Sequence, residues 1–212
     1  MTEQLRSILD QGVAQMGLTL SDEQASKLVQ YVELMHKWNK AYNLTSVRQP
    51  GQMMSRHILD SLAITPYVQG KTVIDVGTGP GLPGMPLAIM LPHCQFTLLD
   101  SLGKRVRFMK QCVHELGLSN VTPVQSRVEA YDNMPPFDIV LSRAFASLKD
   151  MLHWCAHLVD STGTFLALKG QFPQEEISEV SNHFRIETVN ELKIPGLDEE
   201  RHLVTVKKIK QD

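Results

Sequence analysis

The 212-residue chain has little of what marks several protein classes. It holds only three cysteines, Cys94, Cys112 and Cys155, each alone in apolar surroundings. An odd, unclustered set argues against a disulfide framework and offers no metal-ligand spacing, so buried reduced thiols and no metal site are expected. No apolar run approaches the ~20 residues that span a membrane. The start, Met1-Thr2-Glu3-Gln4-Leu5-Arg6, lacks a basic stretch leading into an apolar core, so no secretory signal is read and a cytoplasmic protein is expected. Net charge is also small, −2, which does not advertise a nucleic-acid partner. It does not exclude one, because such binding depends on where positive charge lies. Lys104, Arg105, Arg107 and Lys110 crowd one helix, and Lys207, Lys208 and Lys210 crowd the C-terminus.

What the chain does have is the run Val73-Ile74-Asp75-Val76-Gly77-Thr78-Gly79-Pro80-Gly81-Leu82-Pro83-Gly84. A β-branched segment ends in an acid and breaks into four glycines. Without a Cβ, such a backbone turns tightly and lets a ligand come close. Its N–H groups and the following helix start favour polar or anionic ligand groups. A second acid, Asp100, follows another strand-like run, Phe96-Thr97-Leu98-Leu99, where a βαβ unit sets a carboxylate against ribose hydroxyls. The plain alternatives are a Gly-rich surface loop and, for Asp100, a helix cap before Ser101.

Residues 1–70 read as an all-helical cap. Leu5, Ile8, Leu9, Val13 and Met16 recur at helical spacing over 3–16. A second helix starts at Ser21, with Gln24 completing a capping box and Ala25, Leu28, Val32 and Met35 on its apolar face. A third helical stretch is expected over 51–64, ahead of Pro66. Residues 71–212 then alternate strands and helices as one compact core, with strands expected at 72–76, 96–100, 121–125, 137–142, 164–168, 184–192 and 202–208. The helix over 103–116 carries Leu102, Val106, Met109, Val113 and Leu116 as a stripe for packing on a sheet, with Lys104 and Arg107 outward. This alternation predicts an α/β fold with a largely parallel, doubly wound sheet. Only Lys193–Glu199 lies between the last two strands, so they are expected to form an antiparallel hairpin. Seven strands with that ending resemble the Class I S-adenosylmethionine-dependent methyltransferase fold, a Rossmann-like sheet, more than a dehydrogenase.

The glycine spacing alone does not separate a nicotinamide cofactor from S-adenosylmethionine. Pro80, Pro83 and Pro86 stiffen the loop and suit an extended turn beside an uncharged sugar–thioether linkage. Gly77, Gly79, Gly81 and Leu82 are therefore candidate cofactor-binding residues, with Asp100 for the ribose. After the third strand, Val128 and Glu129 fit the adenine edge, the first through its N–H and the second through its carboxylate. A first-turn glutamate favoured by the helix dipole is the alternative for Glu129. Arg143, at the carboxyl end of the fourth strand, is placed to clamp a methionine carboxylate or to reach the acceptor, or is simply a solvated strand-end arginine.

Several motifs now resemble one family closely: Asp75–Gly84; Leu99-Asp-Ser-Leu-Gly-Lys-Arg-Val-Arg-Phe108; Ser142-Arg-Ala-Phe-Ala146; and, in the cap, His36-Lys-Trp-Asn-Lys-Ala-Tyr-Asn-Leu-Thr45 with Arg56-His-Ile-Leu-Asp-Ser61. Lys169-Gly170 and Glu200-Arg-His-Leu203 extend the match over essentially the whole chain. It resembles the RsmG family of bacterial 16S rRNA guanine-N7 methyltransferases, the glucose-inhibited division protein B family. The resemblance implies S-adenosylmethionine binding through Gly77, Leu82, Val128, Glu129 and Arg143. It also implies an acceptor guanine in 16S rRNA of the small ribosomal subunit.

Guanine N7 carries an in-plane lone pair and no proton, so no catalytic base is assigned and alignment is the main task. Arg143, Lys169 and Arg201 are the candidate orienting residues. Lys104, Arg105 and Arg107 are further RNA-contact candidates. His36, Trp38 and Tyr42 offer stacking surfaces, although core packing is the favoured reading of Trp38. The run Asn133-Met134-Pro135-Pro136-Phe137 imitates an amine-methylating motif but has an inserted methionine and precedes the fourth strand. Cys155, read as lying mid-helix, is not expected to be a nucleophile. A monomer is expected. Competing readings are a small-molecule methyltransferase with an enclosed apolar acceptor site, a non-catalytic RNA-binding module and an NAD-dependent oxidoreductase.

Overall fold

A computed structural model describes residues 1–132 and 135–210. Helices α1 (Thr2–Gln15) and α2 (Asp22–Tyr42) open the chain, and Ser21 and Gln24 form the expected reciprocal cap of α2. A composite helix α3 follows, as α-turns over Pro50–Met53, a π-helical segment over Met54–Leu59 and a last α-turn over Asp60–Leu62. The π segment departs from the uniform helix expected over 51–64. Wider turns change the direction in which later residues point, and periodicity over so short a run does not reveal them.

The remainder alternates: β1 (Thr72–Val76), α4 (Gly84–Met90), β2 (Gln95–Asp100), α5 (Gly103–Leu116), β3 (Val121–Gln125), β4 (Phe137–Ser142), α6 (Leu148–Cys155), β5 (Val159–Lys169), α7 (Gln174–Ser178), β6 (Phe184–Glu191) and β7 (His202–Lys208). The sheet order is β3-β2-β1-β4-β5-β7-β6. Strands β1 to β5 are mutually parallel, and β7 runs antiparallel to both β5 and β6. Chain order reverses at β1, so the carboxyl ends of β1, β2 and β4 flank the crevice where open α/β sheets take ligands.

Helix α5 is buried on two faces. Val106, Met109 and Leu116 are buried as the stripe predicts, but so are Phe108 and Cys112, while Leu102 is 44% exposed. The reason is α2, which packs beside α5: the Phe108 ring lies 6.2 Å from Tyr31 and 5.6 Å from Trp38. Leu28, Val32 and Met35 of the cap share one apolar cluster with Phe108, Met109 and Leu98. Among the described residues, no helix is long and apolar enough to cross a membrane.

Candidate functional site

The chain leaves β1 at Val76 and turns through residues 77–83 before α4. Gly77, Gly79 and Gly81 take φ values of 68°, 63° and 111°. At Gly77 a Cβ would lie 2.5 Å from the Cβ of Ala144, so both φ and space demand glycine there. The Gly77 and Thr78 N–H groups donate to the Leu99 carbonyl at 2.9 and 3.1 Å, tying the loop to β2.

Beneath the loop, Asp75 Oδ2 accepts from Thr78 Oγ1 and from the Gly84 N–H, each at 2.8 Å. Asp75 is fully buried, and its Oδ1 has no partner among the described residues. Burial pushes this carboxyl up to about 7, against the two hydrogen bonds that favour the charge. From the cap, the Tyr31 hydroxyl donates to the Pro80 carbonyl at 2.9 Å.

Asp100 lies at the carboxyl end of β2 and is 4% exposed. Its Oδ2 accepts from the Gly79 N–H at 2.9 Å and faces Arg105 Nη1 at 3.4 Å. Its Oδ1 accepts from the Leu102 N–H at 3.0 Å. A carboxylate offers about four acceptor sites, so Asp100 braces the loop against the start of α5 with two of them, faces Arg105 with a third and keeps one for a ligand. The helix N-cap itself is Leu102 rather than Asp100.

A cleft of about 280 Å³ opens here, lined by Gly77, Asp100, Arg105, Val128, Glu129 and Phe145 among others. Val128 and Glu129 stand on a 3₁₀ turn, Val128–Ala130, with Glu129 3.5 Å from Arg127. The fold thus brings Gly77, Asp100, Val128 and Glu129 together, with Gly79 joined through its N–H. Gly81 sits behind, where a Cβ would meet Met85 and the Tyr31 hydroxyl, and Leu82 is buried in the core. The lining combines a close-approach backbone turn, the Asp100 carboxylate at the end of β2 and the half-exposed Glu129 carboxylate on the far rim, groups that could hold a nucleoside.

Arg143 stands outside that lining. It extends from the end of β4 to the cap, with Nη1 3.7 Å from Asp60 Oδ2, while Arg201 Nε donates to Asp60 Oδ1 at 3.1 Å. Burial raises the Asp60 carboxyl above its ordinary value, and the two guanidiniums oppose that rise. Lys169, ending β5, pairs with Glu176 at 2.8 Å and donates to the Phe145 carbonyl at 3.2 Å. Register places Lys169 opposite His202, so Arg143, Lys169 and Arg201 occupy one edge of the sheet. Asp60 and Glu176 had no assigned role in the sequence. Asp60 was visible only as one letter of the run Arg56–Ser61.

Trp38 is half-buried against the core cluster and stacks on the exposed Tyr42 at 5.2 Å; His36 is half-buried. Asn133 and Met134 of the imitation motif lie outside the described residues, and Phe137 is buried at the start of β4. Cys155 closes α6 rather than lying within it, because the chain passes there into a 3₁₀ turn. Burial pushes its thiol up to about 12, leaving almost no thiolate nucleophile at neutral pH.

Residues 24–204 match the family model described as "GidB: rRNA small subunit methyltransferase G". The chain is 68% identical over 206 residues to ribosomal RNA small subunit methyltransferase G of Alteromonas mediterranea, covering 97% of this chain and 98% of that one. It is 62% identical to the protein of the same name from Salmonella typhimurium, over 92% of this chain and 94% of the relative. Among solved structures it resembles TrmN from Thermus thermophilus (TM-score 0.59, 18% identity, 74% of this chain and 53% of that one). It also resembles P. horikoshii TYW2 in complex with MeSAdo (TM-score 0.57, 8% identity, 73% and 63%). These distant likenesses speak to the Rossmann-like fold, and the close relatives to the family. The chain belongs to the rRNA small subunit methyltransferase G (GidB) family of methyltransferases.

Proposed function

We propose that the chain transfers the methyl group of S-adenosylmethionine to N7 of a guanine in 16S rRNA of the small ribosomal subunit. S-adenosylmethionine supplies a methyl group on a sulfonium that is already a good leaving group. The chain's task is to hold the nucleoside portion at Gly77, Asp100, Val128 and Glu129, and the acceptor opposite it. Arg105 is 3.4 Å from Asp100, a long contact that can yield to a ribose hydroxyl. In this reading residues 1–70 are a cap shaping the acceptor side, and residues 71–212 are the cofactor-binding core. The protein works in the cytoplasm as a monomer.

One observation supports N7 above other acceptors. Four acids around the crevice are held by neighbours, Asp60 by two arginines, Asp75 through Oδ2 by Thr78 and Gly84, Asp100 by two N–H groups and Glu176 by Lys169, while Glu129 stands beside Arg127 on the adenine side of the cleft rather than at the acceptor. An acceptor that must lose a proton needs a free base; guanine N7 needs none. The basic edge of Arg143, Lys169 and Arg201 suits a phosphate-bearing substrate better than an enclosed apolar one.

The test is transfer of radiolabelled methyl from S-adenosylmethionine to small subunits from a strain lacking this gene. Label at one guanine, released as 7-methylguanine, is expected. Tight cofactor binding without label in RNA would instead point to a small-molecule acceptor.

A further inference from the structure

The edge that carries Arg143 and Arg201 is joined to the cap by a single buried carboxylate. Asp60 is 4% exposed and follows directly on the π segment Met54–Leu59. A π-helical turn advances fewer degrees per residue than an α-turn, so Asp60 points where an uninterrupted helix would not send it. It lies between two guanidiniums that leave the sheet from different strands, 3.7 Å from Arg143 Nη1 and 3.1 Å from Arg201 Nε. Neither arginine is sealed in: their side chains are 33% and 25% exposed. A second tie, Arg56 to Glu199 at 2.8 Å, fixes the same stretch of cap to the segment ahead of β7.

One carboxylate for two guanidiniums leaves the cluster with one net positive charge. It also fixes where the unused N–H groups of both arginines point. From this we infer that Asp60 is a positioning residue: it aims Arg143 and Arg201 at the acceptor nucleotide and withholds part of their charge from the RNA. This rests on the proposed rRNA reaction and deepens it.

Positioning and plain anchoring lead to different measurements. A carboxylate that only glues cap to core, once neutralised, loosens everything together: melting temperature, cofactor affinity and RNA affinity all fall. A positioning carboxylate behaves otherwise. Asp60→Asn keeps the size and an acceptor oxygen but frees a positive charge, so phosphate attraction does not weaken while alignment does. Alignment acts on the turnover step and attraction on binding.

The experiment measures kcat, KM for small subunits lacking the modification, cofactor affinity by calorimetry, and the salt dependence of binding to a 16S rRNA fragment. For Asp60→Asn, kcat is expected to fall about 10-fold or more with no rise in KM and cofactor affinity within about two-fold of wild type. The log–log salt slope should steepen by up to about 0.7–0.9, the value of one further phosphate contact. Asp60→Glu, which restores the charge, is expected to regain part of kcat and the original slope. Parallel loss of cofactor and RNA binding, or an unchanged kcat, overturns the inference.

Should Asp60→Asn not fold, Arg201→Gln carries the same test. It leaves Asp60 one positive partner, so the slope becomes shallower and kcat falls; no change in either overturns the inference. Wild-type enzyme that methylates no rRNA in the parallel assay would sink the proposed reaction itself, a result distinct from any variant's.

Discussion

On the β1–β2–β3 side of the sheet edge the crevice is shaped mainly by backbone: a loop of positive-φ glycines, its N–H groups bonded to Leu99 and to Asp100, and Asp75 sealed beneath it. On the β4–β5–β7 side it is shaped by charged side chains paired across long sequence distances, Asp60 with Arg143 and Arg201, and Lys169 with Glu176. The first construction is rigid because it uses short-range hydrogen bonds and sterics. The second depends on balanced charge, and so responds to salt and to single neutralisations. A rigid cradle suits a small cofactor of fixed shape, and a charged edge suits a large polyanion that must be captured and then aligned.

The largest expected effect is on the backbone-built side, with pH. The Asp75 carboxyl, raised by burial from 3.8 to about 7, contributes stability that is fully present below its unfolded value and lost as pH rises through about 7. His57, held by burial down at about 4, does the reverse: its contribution is complete above about 6.5 and is lost as pH falls toward 4. The two oppose each other between these limits. Asp75→Asn should therefore gain on wild type by an amount on the order of 4 kcal/mol between pH 4 and pH 7.5. Urea unfolding at both pH values measures this, and a constant gap would show that Asp75 ionises normally.

Next in size is Gly77→Val, which forces a Cβ toward Ala144 at a positive φ. A loss of about 3 kcal/mol is expected, together with cofactor binding too weak for calorimetry. Retained affinity would show that the loop is not the cradle. Asp100→Asn is milder, since one oxygen can still accept from a loop N–H. It should weaken cofactor affinity about 10-fold, or about 1.4 kcal/mol, and unchanged affinity would remove Asp100 from the site.

Smallest is Lys169→Met on the charged side. Its expected cost is about 1 kcal/mol for an ion pair that still has solvent contact, with cofactor affinity unchanged and rRNA turnover reduced. A loss of cofactor binding there would erase the distinction between the two sides.

The same contrast explains what could be read in advance. Gly77, Gly79, Asp100 and the 128–129 pair each lie at the end of a strand or within four residues after it, and strands announce themselves by β-branched runs and turn residues. Phe108 and Cys112 were missed as core because their burial comes from α2, 60 or more residues away, whereas periodicity reports only the face toward the sheet. Asp100 was read as a ribose ligand or a helix cap before Ser101, and the structure adds partners that neither reading named: the Gly79 N–H from the loop and the Leu102 N–H. The π segment before Asp60 was hidden because a change of helical pitch over six residues leaves no distinct apolar pattern.

The order of strands and helices, the glycine turn and the family were determined by the sequence alone, because each depends on neighbours within a few residues or on contiguous motifs. Only the tertiary structure decided that Asp60 meets Arg143 and Arg201, the latter 141 residues away. Opposite charges pair wherever the fold delivers them, and nothing local in the chain records which will meet. The character of the charged edge therefore emerges only once the cap has packed onto the sheet.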